Sequence, residues 1–269
     1  GNMWQNRDIW KNIPGNPAKP GGYVNSCTAY SAEGGRDVVY EAAIDAGGGT
    51  SLGLYKYTIN SVSDPTQDTM QKVGQFWNGT SAATSCGYDP TDKVLLRIGT
   101  NQIPFVYWDM HNPGPGNQDA RMTPIDATGE FPALLSSGAL NLANCGMDYD
   151  PTRNQFVMWC GDGRVWTIKP PATLSPNGWT ITKQPAPLLA TPNGDVGTGI
   201  LGKWKYISNL DAFMGLQDAT QGNIWVYKPA GWKNPSGNLV PPPIVSLTAP
   251  ANGSGFASGA PITISANAA

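Results

Sequence analysis

Short apolar runs alternate with polar, glycine-rich segments along most of the chain, and similar runs return at a fixed interval. One aromatic run recurs at Tyr107, Trp166 and Trp225, and this equal spacing is the signature of a repeat architecture with a period of about 59 residues. Each repeat contains up to four such runs bounded by turn residues, without the period of an amphipathic helix. This pattern predicts an all-β fold, a β-propeller with four visible blades. The competing interpretation is a β-sandwich in which the similarity is accidental.

The cysteines follow the same repeat. Cys27, Cys86 and Cys145 are spaced at the same interval as the aromatic residues, and the last two each precede an Asp-Pro-Thr sequence. Cys145 and Cys160 are symmetric about the turn at 150–154. A symmetric hairpin would bring their Cα atoms to about 5 Å, so we predict a disulfide between them. Cys27 and Cys86 occupy equivalent places on neighbouring innermost strands, where they either bridge two blades or remain buried free thiols.

The number of strands leaves the closure of the ring open. The fourth repeat has an innermost, a second and a third strand before the chain becomes rich in proline. Residues 3–10 form an additional predicted strand ahead of the first repeat. The chain is therefore either a four-bladed ring that residues 3–10 complete, or the C-terminal part of a larger propeller.

Composition divides the chain into three predicted units. Residues 1–234 form the propeller, and residues 235–243 are a Pro-rich linker that favours polyproline II geometry. Residues 244–269 follow, with strands predicted at 244–248 and 262–266. Because two strands are not a stable domain, we interpret this last unit as the beginning of an Ig-like β domain.

Several segments carry a resemblance to a known family: residues 1–8, the Asp-Pro-Thr hairpins, residues 199–206 and residues 223–229. Through them the body resembles the C-terminal half of a secreted bacterial kelch-type propeller, an architecture related to the central domain of galactose oxidase. Residues 245–253 are similar to the opening of bacterial Ig-like modules. The resemblance implies secretion and further blades upstream. It does not imply oxidase activity, because a copper-radical site needs two histidines and the chain has one.

Composition and charge exclude several functions. Charged residues are 13% of the chain and the net charge is −2, so no basic excess is available for nucleic acid. No apolar stretch approaches the roughly 20 residues of a membrane helix. One histidine cannot form a multi-histidine metal site, and we expect no cofactor, with structural calcium as the one candidate ion. Abundant Gly, Asn, Thr and Ser are typical of an extracellular protein, and any signal peptide has been removed or lies upstream of Gly1.

Loop residues are the first candidates for a binding site. In a propeller, the loops between second and third strands lie on the face where ligands usually meet the channel. Asp45, Asp162 and Asp218 recur in these loops, with Arg164 beside Asp162, and they could converge on a cation or on sugar hydroxyls. The favoured alternative is turn chemistry, because Asp beside Gly is typical of a tight turn.

The innermost strand of the last repeat supplies a second group. Alternation places Lys203 and Lys205 on one side of this strand, with Trp204 and Tyr206 on the other. The lysines could face the channel and bind a ligand, but we favour a packing role for the strand. His111 invites interpretation as a general base, although a solvated loop histidine is the favoured alternative.

The tryptophans divide into two sets. Trp108, Trp166 and Trp225 lie at repeat-equivalent places on third strands, where we expect them to fill the space between blades. Trp77, Trp179 and Trp232 lie near strand or loop ends, where they are freer to contact a ligand.

Together these features favour a secreted, non-catalytic binding or structural module. The expected partners are extracellular polysaccharide, the cell surface, or copies of the protein that pair through the C-terminal strands. The alternative is a glycan-active enzyme of the lyase or oxidase type, whose site is completed by blades missing from this chain.

Overall fold

The computed structural model describes residues 20–21, 26–45, 52–76, 84–126, 128–186, 191–192, 194, 199–218, 222–235 and 245–268. Four small sheets are arranged in a ring, the arrangement of a four-bladed β-propeller, and the predicted all-β fold is confirmed. Each sheet is called a blade below and is numbered in chain order. The strand predicted at residues 3–10 lies outside the described residues.

Blades 1 and 2 each place their strands in antiparallel order from the innermost strand outward. Blade 1 contains β1 (Pro20–Gly21), β2 (Cys27–Glu33), β3 (Arg36–Asp45), β4 (Leu52–Thr58) and β5 (Thr69–Gln75). Its innermost strand β2 pairs with β3, and β1 pairs with the far end of β3. Blade 2 contains β6 (Ser85–Asp89), β7 (Val94–Thr100), β8 (Ile103–Asp109) and β9 (Ala120–Arg121), which pair in that order.

Blades 3 and 4 continue the ring. Blade 3 contains β10 (Ile125–Asp126), β11 (Gly146–Asp150), β12 (Gln155–Trp159), β13 (Val165–Lys169) and β14 (Thr180–Lys183). Blade 4 contains β15 (Trp204–Ile207), β16 (Ala212–Asp218) and β17 (Asn223–Tyr227). The innermost strands β2, β6, β11 and β15 contact one another in that order. A separate two-stranded sheet consists of β18 (Val245–Ala249) and β19 (Ser265–Ala268).

The Asp-Pro-Thr repeats build the turns between innermost and second strands. The Asp89 carboxylate accepts the backbone N–H groups of Thr91 and Asp92 at 2.8 and 3.1 Å. The Asp150 carboxylate accepts those of Thr152 and Arg153 at 3.1 and 3.2 Å. A short acidic side chain that bonds the backbone two residues on is the usual chemistry of such turns, which explains why the same residues recur.

Aromatic side chains fill the spaces between blades. Trp108 and Trp166 on the third strands are fully buried, as predicted, and Trp225 is partly buried. Trp179 was expected to be free for a ligand, and this prediction is wrong: its side chain is fully buried and its indole donates to the Ser175 carbonyl. Trp232 packs against Lys228, whose Nζ lies 4.0 Å from the ring centre. Trp77 lies outside the described residues.

The region between blades 2 and 3 departs from the predicted pattern. The strand expected at residues 121–125 is divided between two blades, because β9 ends at Arg121 and β10 pairs in parallel with β14. A helix, α1 (Glu130–Ser137), follows and ends at Gly138, which has a φ of 73°. Its Phe131 is buried and lies 5.2 Å from the Trp166 ring. The helix is too short to show its period in the sequence, and Phe131, with Leu134 and Leu135, packs it against the core.

Both candidate disulfides are present. Cys145 and Cys160 close the β11–β12 hairpin with a Cα–Cα distance of 4.0 Å. Cys27 and Cys86 join the innermost strands of blades 1 and 2 with a Cα–Cα distance of 5.5 Å, so the free-thiol alternative is wrong. In the part of the chain that the structure describes, no helix is long and apolar enough to cross a membrane.

Candidate functional site

A cavity of about 500 Å³ lies where the innermost strands of all four blades meet. Tyrosine side chains from all four blades border it, together with one carboxylate and one ammonium group. These residues are Tyr30, Tyr88, Tyr149, Tyr206, Asp148 and Lys205. Pro90 and Pro151 of the Asp-Pro-Thr turns also line it, so the cavity lies at the end of the channel that carries these turns. The candidate loop aspartates were assigned to the opposite end.

Asp148 is the acidic group of this cavity. Its Oδ1 accepts the backbone N–H of Tyr149, and its Oδ2 accepts the backbone N–H of Tyr206, both at 3.0 Å. The Lys205 Nζ lies 3.7 Å from Oδ2. Burial raises the pKa of the Asp148 carboxyl, because a charge is costly away from water, and Lys205 and the two amides oppose that rise. A carboxyl with a raised pKa in a cavity is a feature of functional sites.

The tyrosine hydroxyls are held by neighbouring polar groups. Tyr206 donates to Asp211 Oδ1 at 2.7 Å, and Tyr30 donates to Asp37 Oδ1 at 2.7 Å. Burial and the nearby Asp211 raise the pKa of Tyr206 to about 12, and burial is also the main cause that raises the pKa of Tyr88 to about 12. The Tyr206 and Tyr88 hydroxyls therefore stay protonated near neutral pH.

An arginine clamp fixes the position of Tyr206. Arg153 Nη2 donates to Asp211 Oδ2 at 2.7 Å, Nη1 donates to Asp150 Oδ2 at 3.0 Å, and Nε donates to the Ala230 carbonyl at 2.9 Å. The clamp joins the turn of blade 3 to blade 4. Hydrogen bonds from Arg153 are the main cause that lowers the pKa of Asp211 to about 2. The Asp-Pro-Thr-Arg turn of blade 3 therefore fixes the blade 3 side of the cavity to the blade 4 side.

The loop aspartates lie away from this cavity. Asp162 accepts the backbone N–H and the Nε of Arg164 at 2.8 and 2.7 Å, which is turn chemistry reinforced by an ion pair. Asp162 also borders a small cleft of about 90 Å³ between blades 3 and 4. Asp218 is buried at the end of β16. Asp45 ends β3, and its side chain is outside the described part of the chain. Within the described residues, no three His, Cys, Asp or Glu side chains are grouped so that they could hold a metal ion.

Lys203, which directly precedes β15, and Lys205 of β15 line the same groove, as the alternation predicts. Lys205 borders the cavity, and Lys203 and Lys205 both line an adjoining groove of about 240 Å³ on blade 4, together with Met214 of β16. The Trp204 and Tyr206 rings lie 5.0 and 5.3 Å from Phe213, and Tyr206 also borders the cavity together with Lys205.

His111 lies in the loop between β8 and β9 with half of its side chain exposed, and its Nδ1 is 2.7 Å from Asp109 Oδ1. The histidine is therefore a solvated loop residue, as the favoured interpretation holds.

Sequence reasoning missed Asp148 as a site residue. Asp148 lies between Met147 and Tyr149, which are both buried, and its strand was predicted to line the channel. A charged residue within an apolar channel strand was the signal in the sequence that could have identified it.

A search of family models, of curated proteins and of solved structures finds no match to this chain.

Proposed function

We propose that this protein is an extracellular, non-catalytic binding module that engages polysaccharide in the cavity between its innermost strands. The observation that supports this most is the lining of the cavity, where tyrosine rings alternate with hydrogen-bonding groups in about 500 Å³. A sugar ring presents apolar C–H faces and a rim of hydroxyls. Aromatic side chains with an apolar body and a polar tip suit both.

The hydrogen bonds of the site favour binding over catalysis. A general base must be able to accept a proton near neutral pH. The Tyr206 hydroxyl has a raised pKa and donates to Asp211, and both Asp148 oxygens accept backbone amides. These groups are suited to fix a ligand rather than to exchange protons with it.

The second candidate is a glycan-active enzyme of the lyase or oxidase type, whose site further blades would complete. The observation that favours it is the Asp148 carboxyl, whose raised pKa lies beside a lysine and a tyrosine in one cavity. New unsaturated or oxidised ends on any glycan after incubation with the longest native form would favour the enzyme and contradict the non-catalytic proposal.

The proposal includes a secreted, kelch-type propeller followed by an Ig-like module. Two disulfides suit a protein that folds in an oxidising compartment. The two-stranded sheet β18–β19 is the start of the Ig-like unit in this proposal, and its edges offer a route to self-association by strand addition.

The experiment is a binding screen against soluble polysaccharides by affinity electrophoresis, with a Tyr30→Ala variant. Tyr30 is 62% exposed and borders the cavity, so its loss should not unfold the chain. It should weaken binding by about tenfold, because the ring buries apolar surface against the sugar. Tyr30→Phe should retain binding. Phe256→Ala is the matched control, since Phe256 is 47% exposed and lies between β18 and β19, outside the blades. Equal retardation of wild type and Tyr30→Ala would contradict the assignment of the cavity.

A further inference from the structure

We propose that the cavity selects glycans that carry carboxylates, such as uronic acid units, and that Lys205 is the residue that determines this specificity. The inference rests on the proposed function, because it names the class of glycan that the same cavity takes. Its evidence is the set of contacts that the Lys205 ammonium and the Asp148 carboxylate each make.

The carboxylate is bonded to backbone amides rather than to the lysine. Each Asp148 oxygen accepts one backbone N–H at 3.0 Å, from Tyr149 and from Tyr206. The Lys205 Nζ is 3.7 Å from the nearer oxygen, which is beyond hydrogen-bond distance. An ammonium group has three N–H donors. The ion pair therefore orients Lys205 by charge and leaves its donors for another acceptor.

The cation is also the more accessible member of the pair. The Lys205 side chain is 41% exposed, and the Asp148 side chain is 17% exposed. The lysine side chain is therefore the more open of the two to a ligand, and the less exposed carboxylate restrains it by charge.

The charges along this wall favour an anion. Among the described residues that line the cavity, Asp148 is the one acidic side chain and Lys205 the one basic side chain. Lys203 adds a second positive charge two residues before Lys205 on the same side of the chain. Of the other acidic groups nearby, Asp150 and Asp211 face the Arg153 guanidinium, Glu33 is paired with Lys56, and Asp37 accepts the Tyr30 hydroxyl. Along the β15 side of the cavity and in the adjoining groove, two ammonium groups therefore face one carboxylate.

The test compares two ligands that differ only in charge. Isothermal titration calorimetry would measure binding of oligogalacturonate and of the same oligomer with every carboxylate methyl-esterified. We expect the acid to bind at least about tenfold more tightly, because a hydrogen bond to a charged group is stronger than one to a neutral ester. This preference should shrink in high salt. Monomeric galacturonate distinguishes recognition of a glycan chain from binding of a free carboxylate. Equal affinity per site for monomer and oligomer would contradict the inference that the ligand is a glycan chain.

Matched variants assign the effect to Lys205. Lys205→Gln should lower the ratio of acid to ester affinity to about one, and Lys205→Arg should retain the preference for the acid. Lys169→Gln removes the same charge at an exposed position on β13 and should behave as wild type. Circular dichroism and the urea midpoint verify folding, and the acid-to-ester comparison on the wild-type protein tests the inference without any variant.

The outcomes separate the two proposals. Equal binding of acid and ester by the wild-type protein, or a preference that survives in Lys205→Gln, overturns the carboxylate inference while polysaccharide binding stands. Binding to neutral glycans alone overturns it in the same way. No binding to any polysaccharide overturns the proposed function and this inference together.

Discussion

Replacing Arg153 with methionine should destabilise the propeller by about 2 kcal/mol near neutral pH, a value that follows from the pKa of its partner Asp211. The side chains of Arg153 and Asp211 are 15% and 14% exposed, so their ion pair is largely shielded from water. The pKa of Asp211 is lowered from 3.8 to about 2, and each pKa unit corresponds to about 1.4 kcal/mol. Methionine keeps the apolar stem and removes the charge, so the loss reports the guanidinium contacts.

The pH dependence follows from the sign of this shift. The pKa of Asp211 is lower in the folded than in the unfolded chain, so ionised Asp211 stabilises the folded state. This contribution is complete above the unfolded value of about 3.8 and is lost as the pH falls through about 2. The difference in unfolding free energy between wild type and Arg153→Met should therefore be largest at about pH 6 and fall by more than about half at about pH 2.

Urea unfolding, followed by tryptophan fluorescence with the disulfides intact, measures this difference. Lys183→Met is the matched control, because Lys183 pairs with Glu130 at 2.6 Å but the two side chains are 33% and 49% exposed. An exposed pair contributes about 0–1 kcal/mol. A loss in Arg153→Met no larger than in Lys183→Met, or a loss that does not change with pH, would refute the proposed role of the clamp.

Two further predictions concern packing and covalent structure. Gly215→Ala should lower the free energy of unfolding by about 1–3 kcal/mol, because a Cβ there would lie 2.7 Å from the Trp204 ring and also overlap Trp159. Gly202→Ala is the control, since a Cβ at that position meets open space. Equal melting temperatures for the two variants would contradict this prediction. Replacing both Cys145 and Cys160 with serine should lower the free energy of unfolding by about 2–4 kcal/mol, as measured by urea unfolding. A double variant as stable as wild type would count against the structural role of this bridge. Peptide mapping of the unreduced wild-type protein should recover both disulfides.

The amino-acid sequence alone was sufficient for the repeat and for much of the local structure. The equal spacing of the cysteines and of the aromatic residues predicts the blades, since equivalent residues must occupy equivalent places in each sheet. The symmetry of Cys145 and Cys160 about a turn predicts their bridge, because antiparallel register follows from chain position. These features depend on contacts between residues close in the chain or at equivalent places in successive repeats, and such contacts leave a pattern that can be read.

The tertiary structure alone decided which residues share a cavity. Asp148 and Lys205 lie far apart in the chain and belong to different blades, and they meet because neighbouring innermost strands converge at the centre of the ring. Trp179 looks like a loop aromatic in the sequence, but α1 and blades 2 and 3 enclose it, with its ring 5.2 Å from Tyr107. Alternation along a strand predicts which side a residue faces, but the neighbour on that side depends on how whole sheets pack.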